Sequence, residues 1–152
     1  MWKYPSVTKM YEALGAVADG RIEVNGNIGK CYSSSGNKYY DITFDPDSRA
    51  IMSNDNTSYW TGELGYPAVA FLIKSGVLEY KEDLAKLLRG IPWKEINRKF
   101  KNDFDVALEH ILKDMELSNR EELSKYTESL AEEIKKLNLK ELGEKITPPK
   151  GF

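Results

Sequence analysis

The segment Tyr66-Pro67-Ala68-Val69-Ala70-Phe71-Leu72-Ile73-Lys74-Ser75-Gly76 decides how this chain folds. Six apolar residues follow Pro67 without interruption, and Gly76 closes the run. Proline suits the first turn of a helix because it has no N–H to lose, and glycine readily takes the left-handed conformation that ends one. A helix without a polar face needs neighbours on every side. The sequence therefore predicts that the rest of the chain wraps a central helix over 67–75.

Length and composition describe one folded domain. The chain has 152 residues, of which 41% are hydrophobic and 30% charged, with a net charge of −2, and these shares are typical of globular proteins. No apolar run approaches the roughly 18 residues of a membrane span, and the start of the chain lacks the apolar region of a secretory signal. The single cysteine, Cys31, fits a reducing compartment. We expect a cytoplasmic protein without a membrane partner.

Two periodicities divide the first third of the chain. Apolar residues recur at helical spacing from about Ser6 to Ala18, and Asp19-Gly20 ends the pattern. Between 21 and 53, short alternating runs are separated by clusters of Asn, Asp, Ser and Gly, which predicts four strands joined by turns. With one apolar face, such a sheet can lie on the helices. We expect an antiparallel four-stranded meander.

The remainder of the chain is predicted to be helical. Short helices are expected at about 81–88 and after Pro92, and longer ones at about 104–115 and beyond Ser118, where Ser118 to Glu121 has the form of a capping box. The last helix carries an apolar seam at the spacing of paired helices, formed by Leu123, Tyr126, Leu130, Ile134 and Leu137. The predicted fold class is α+β: an N-terminal helix, the meander, and a helical half that ends in a long helix hairpin. We divide this single domain into 1–53, 54–101 and 102–152.

The polar segment 53–65 is the first candidate binding site. Thirteen residues are long for a connection inside a compact domain, and the helix that follows presents a partial positive charge. The alternative is that its Asn and Asp side chains make local turn hydrogen bonds while its aromatic residues fill the core, and the composition favours this alternative. If the segment binds a ligand, the expected residues are Asn54, Asp55, Asn56, Tyr59 and Trp60. Asp55 would then be the general base or metal ligand.

A basic segment over 86–101 is the second candidate. It carries a net charge of +5 in a chain that is otherwise balanced. Lys94, Arg98 and Lys101 are spaced i, i+4 and i+7, so a helix would place them on one face and allow them to contact nucleic-acid phosphates. The alternative is an ordinary solvated helix face, which the sequence pI of about 5.6 favours.

The segments 53–67 and 90–97, the latter reading Gly-Ile-Pro-Trp-Lys-Glu-Ile-Asn, resemble a small family of uncharacterised archaeal proteins. This resemblance implies an archaeal cytoplasmic protein with an α+β fold. It carries no catalytic residues over to this chain.

Three functional hypotheses follow. No set of acid, base, nucleophile and metal ligands can be assembled from the sequence, so the catalytic residues and any cofactor stay unassigned, no metal site is predicted, and the chain is not assigned as an enzyme. The first hypothesis is a non-enzymatic binding or assembly module, in which the seam pairs with helix 104–115 or forms a homo-oligomer. The second is a small-molecule or metal-binding enzyme that uses the 53–65 loop. The third is weak nucleic-acid binding by the basic segment.

Overall fold

The structure is a computed structural model that describes residues 1–150. Within these residues the chain forms seven α-helices and five strands, with a 3-10 turn at Lys86–Leu88. Their bounds are α1 (Val7–Ala18), β1 (Ile22–Asn25), β2 (Ile28–Tyr32), β3 (Tyr39–Asp45), β4 (Ala50–Ser53), α2 (Asn56–Thr61), α3 (Tyr66–Lys74), α4 (Glu82–Ala85), α5 (Trp93–Lys99), α6 (Phe104–Leu112), α7 (Leu117–Leu137) and β5 (Lys140–Glu141). The predicted α+β class is confirmed.

The sheet has the order β1-β2-β3-β4-β5. The first four strands form the predicted antiparallel meander, with Cys31 opposite both Ile22 and Tyr40. β5 adds a parallel partner to β4, pairing Lys140 with Ala50. The sequence did not predict β5 because two residues are too few to show an alternating pattern.

Helix α3 lies at the centre of the fold, as its sequence predicts. Every residue from Pro67 to Ile73 is buried, and the helix packs against α1 and the inner face of the sheet. Gly29 on β2 makes this close approach possible, because a Cβ atom there would lie 2.6 Å from Cδ2 of Phe71. The ring of Phe71 meets that of Phe44 edge-on, with 6.2 Å between centroids.

Helix α1 is buried on all sides. The sequence pattern predicts one apolar stripe, yet every residue from Thr8 to Val17 is buried, including Lys9 and Glu12. The sequence period of apolar residues does not indicate how many neighbours a helix has. Helix α1 is contacted by α3, α4, α6 and α7, which together cover it. The amine of Lys9 lies over the ring of Phe104, 4.4 Å from its centroid.

The long helix α7 places its seam against the core of the same chain. Leu123, Tyr126, Leu130 and Ile134 are buried, and the helix packs on α1 and α4. A salt bridge between Arg120 and Glu109, 3.2 Å from Nη2 to Oε1, joins α7 to α6.

The predicted capping box at the start of α7 is wrong. The helix begins at Leu117, after Glu116, and Glu116 makes no side-chain capping hydrogen bond. Ser118 therefore lies inside the first turn instead of preceding it. Within residues 1–150, no helix combines the length and the apolar composition that a bilayer crossing requires.

Candidate ligand-binding site

A pocket of about 570 Å³ opens between α1, the β2–β3 loop and α5. One wall is cationic, with Lys38 from the loop, Lys94 and Arg98 from α5, and Lys101 just beyond that helix. The floor is formed by Glu12, Tyr40 and Tyr66. We call these the cationic wall and the floor.

Three contacts fix α5 against the rest of the protein. Trp93 is buried against Gly15 of α1, where a Cβ atom would lie 2.7 Å from the indole Nε1. The backbone N–H of Lys94 donates to Oγ of Ser34 in the β2–β3 loop at 3.0 Å. Nδ2 of Asn97 donates to Oε1 of Glu12 at 3.2 Å. The cationic wall is therefore held by contacts with both the helical core and the sheet.

The prediction that Lys101 shares a helix face with Lys94 and Arg98 is wrong, because Lys101 lies beyond the end of the helix. α5 ends at Lys99, and both Lys101 and Asn102 adopt left-handed backbone conformations, with φ of 53° and 62°. Both residues line the pocket. Non-glycine residues rarely occupy this region, and such backbone strain is concentrated at functional sites.

The cations of the wall repel one another. The pKa of the Lys94 amine is lowered. Desolvation is the largest cause, and the nearby charges of Lys38 and Arg98 lower the pKa further. Within residues 1–150, neither Lys38 nor Arg98 nor Lys101 forms a salt bridge. An anion placed among these side chains would relieve that repulsion.

The floor is polar and largely buried. Burial raises the pKa of the Glu12 carboxyl, an effect opposed by the charge of Lys9, the hydrogen bond from Asn97 and the charge of Arg21. Burial also raises the pKa of the Tyr40 hydroxyl to about 12, and that of Tyr66 rises for the same reason. Within the described chain, neither tyrosine hydroxyl makes a hydrogen bond, and the buried indole N–H of Trp93 also has no acceptor.

Replacing Glu12 with glutamine is expected to stabilise the protein increasingly as the pH rises. Because the folded-state pKa of Glu12 lies above its ordinary value of 4.5, the protonated carboxyl is favourable below about pH 4.5, and that stability is lost as the pH rises through the folded pKa. Glutamine does not titrate, so the Tm difference between Glu12→Gln and wild type should grow as the pH rises above 4.5 and level off once the pH exceeds the folded-state pKa. Glu128→Gln, on the exposed face of α7, is the matched control and should show no such trend. A Tm difference between Glu12→Gln and wild type that does not change with pH would contradict the conclusion that burial raises the pKa of Glu12.

The five residues predicted from the 53–65 segment lie in different places. Asn56 lines the pocket. Asn54 and Asp55 are buried and do not line it; Oδ1 of Asn54 accepts from the backbone N–H of Asp41, and Asp55 caps α2. Tyr59 and Trp60 stack edge to face at 4.8 Å, and Trp60 is 73% exposed. The structure thus does not bring the five together, whereas Lys94, Arg98 and Lys101 of the basic segment line the same pocket.

Two other reactive side chains have ordinary environments. Burial raises the pKa of the Cys31 thiol to about 12, which leaves it protonated and a poor nucleophile at neutral pH. His110 packs against Phe100, with 5.1 Å between ring centroids. Among residues 1–150, no three His, Cys, Asp or Glu side chains are grouped so that they could hold a metal ion.

The floor and the loop side of the cationic wall were not predicted from the sequence. Glu12 is the only charged residue between Lys9 and Asp19, and a lone carboxyl in an apolar helix is a usable signal for a buried functional group. Lys38, Tyr40 and Tyr66 offer no such signal, because they meet α5 only through contacts between distant parts of the chain.

Comparison with known proteins identifies a family. No curated protein and no solved structure matches this chain. One family model matches residues 2–140, which is most of the sequence. The resemblance of the chain to an uncharacterised family is thereby confirmed, and the chain belongs to the family described as Uncharacterised conserved protein UCP014422.

Proposed function

We propose that this protein binds a small anionic molecule in the pocket between α1, the β2–β3 loop and α5. The observation that carries the proposal is the convergence of four cationic side chains on one pocket in a protein whose net charge is −2. Among the described residues that line the pocket, only Glu12 is acidic, and it belongs to the floor. This is a specific form of the non-enzymatic binding module predicted from the sequence.

The shape of the pocket supports a small ligand. Its volume of about 570 Å³ lies within the range of about 300–1,000 Å³ that is common for metabolite sites. A second hollow of about 360 Å³ shares Ser34, Lys94 and Arg98 with it, so the site extends along α5. Cationic, aromatic and hydroxyl groups converge on one concave surface, as small-molecule recognition requires.

Titration with simple anions tests the proposal. We expect inorganic phosphate, pyrophosphate or citrate, at matched ionic strength, to raise the Tm and to give saturable heats in calorimetry, because a ligand that binds only the folded form stabilises it. The double variant Arg98→Glu/Lys101→Glu should weaken binding roughly tenfold or more, since each lost charged hydrogen bond is worth about 1.5–3 kcal/mol.

The matched control is Lys125→Glu/Lys136→Glu, which reverses two exposed charges on α7 and leaves the net charge equal to that of the pocket variant. Equal losses of anion affinity in both variants would show that only the overall charge of the protein matters, and not the residues of the pocket. The absence of saturable binding of all three anions at millimolar concentration would overturn the proposal.

Nucleic-acid binding through Lys94, Arg98 and Lys101 is the competing proposal, and a gel shift separates it from the first. Phosphate contacts alone give sequence-independent binding of roughly micromolar affinity or weaker at physiological salt. Retardation of single-stranded or duplex probes at low salt, lost when all three residues are changed to Glu, would favour this proposal. No retardation at tens of micromolar protein would retire it.

Location, origin and assembly stay predictions. The one cysteine, buried as a free thiol, supports a cytoplasmic protein. Archaeal origin is implied only by the resemblance noted in the sequence. A homo-oligomer through the C-terminal helices would need a surface other than the buried seam of α7, and light scattering on the purified protein tests it.

A further inference from the structure

The carboxyl group of Glu12 is only partly satisfied by the protein. Oε1 accepts the hydrogen bond from Asn97, whereas Oε2 has no hydrogen-bond partner within residues 1–150. The residue is 6% exposed and lines the pocket. Oε2 is open to the pocket, so a donor on a bound ligand can reach it and supply the countercharge that this largely buried carboxyl group lacks.

The nearest cations are engaged elsewhere. The amine of Lys9 lies over the ring of Phe104, and the guanidinium of Arg21 pairs with Asp19 at 3.1 Å and donates to the backbone oxygen of Tyr32 at 2.7 Å. Neither forms a salt bridge with Glu12. The protein therefore surrounds this carboxyl with cations that do not pair with it.

The cationic wall does not neutralise Glu12 either. No ion pair joins Glu12 to Lys38, Arg98 or Lys101 in the described chain. The pocket consequently has two separate electrostatic poles, a crowded positive wall and a buried carboxyl group. The hydroxyls of Tyr40 and Tyr66, which have no hydrogen-bond partner within residues 1–150, lie on the floor with Glu12.

We propose that the ligand is an amino-substituted phosphate monoester whose phosphate lies at the cationic wall and whose ammonium group pairs with Glu12; this inference rests on the proposed function of the pocket. Four cationic side chains suit a phosphate, which carries about −1.5 to −2 charges at pH 7, better than a single carboxylate. An ammonium group supplies both the donor that Oε2 lacks and the countercharge that the buried carboxylate needs. The tyrosine hydroxyls can bind the ester oxygen between the two ends.

Calorimetry with two matched series of ligands tests the inference. The first series consists of 2-aminoethyl, 3-aminopropyl and 4-aminobutyl phosphate, and the second of ethyl, propyl and butyl phosphate. For at least one chain length, we expect the amino compound to bind wild-type protein roughly tenfold or more tightly than its alkyl counterpart, because it gains a charged hydrogen bond. In Glu12→Gln this ratio should fall towards one, because the amide keeps the hydrogen bond with Asn97 but carries no charge.

The outcomes separate the two proposals. Binding of both series with equal affinity at every length would overturn the amino-phosphate inference and leave anion binding intact. Binding of neither series would overturn the proposed function as well. If Glu12→Gln fails to fold, as its Tm would reveal, the ratio measured on wild-type protein alone decides the question.

Discussion

Phe71→Ala is expected to lower the free energy of unfolding by about 3–5 kcal/mol, the range found when buried aromatic residues are truncated. Phe71 is fully buried in the middle of α3, and its ring contacts Phe44 and the backbone of β2 at Gly29. Gly29 has no side chain that could move into the space, and the surrounding elements are themselves fixed by α1 and the sheet. The cavity should therefore remain largely open, which places the cost towards the upper end of the range.

Denaturant unfolding measures this cost, and Trp60→Ala is the matched control. Trp60 is 73% exposed on α2, so its removal should change stability by no more than about 0.5 kcal/mol. An unfolding midpoint for Phe71→Ala close to that of wild type, with an unchanged m value, would contradict the central position of α3.

The elements that the sequence predicted well are those determined by local composition. The run from Pro67 to Ile73 has no polar residue, so the same short segment predicts both a helix and its complete burial. The meander is predictable because turn clusters separate its strands at short intervals. In both cases the local preference and the tertiary contacts agree.

Other elements depend on contacts that no local pattern encodes. α2 has only six residues, and it exists because Asp55 caps its start and Gly62, at φ 72°, ends it. The sequence presents the same residues as a polar loop. Burial of Glu12 is likewise a consequence of four helices meeting around α1, and the sequence of α1 does not show which of its faces those helices cover.

Only the part of the pocket formed by the basic segment could be predicted, because a local pattern does not show contacts between distant parts of the chain. The basic segment shows its charge excess in the sequence, and Lys94 and Arg98 do share a face of α5. The loop side of the cationic wall comes from a segment about sixty residues earlier, as the hydrogen bond between Lys94 and Ser34 illustrates. Only the folded chain brings these charges into one concave surface.

Asp55→Ala is expected to destabilise the protein by about 3 kcal/mol or more. The buried carboxylate accepts three hydrogen bonds: Oδ1 from the hydroxyls of Ser53 (2.6 Å) and Ser58 (2.7 Å), and Oδ2 from the backbone N–H of Ser58 (3.2 Å). Its removal would leave three buried donors without an acceptor, and each such loss costs about 1–3 kcal/mol. Gly65 packs so closely against Oδ2 that a Cβ atom there would clash with it. The surrounding residues are therefore shaped around this carboxyl group.

Asp103→Ala provides the comparison, because Asp103 also caps a helix but is exposed and accepts only one hydrogen bond, from the backbone N–H of Val106 at 3.3 Å. Loss of such a cap costs about 1 kcal/mol. Chemical denaturation of both variants measures the difference. If Asp55→Ala is no less stable than Asp103→Ala but loses ligand binding, Asp55 acts on a ligand, as predicted for a base in the 53–65 loop. A large loss of stability instead assigns Asp55 to the support of α2 and α3, because the hydroxyl of Ser58 that it holds also accepts from the backbone N–H of Gly65, at the start of α3.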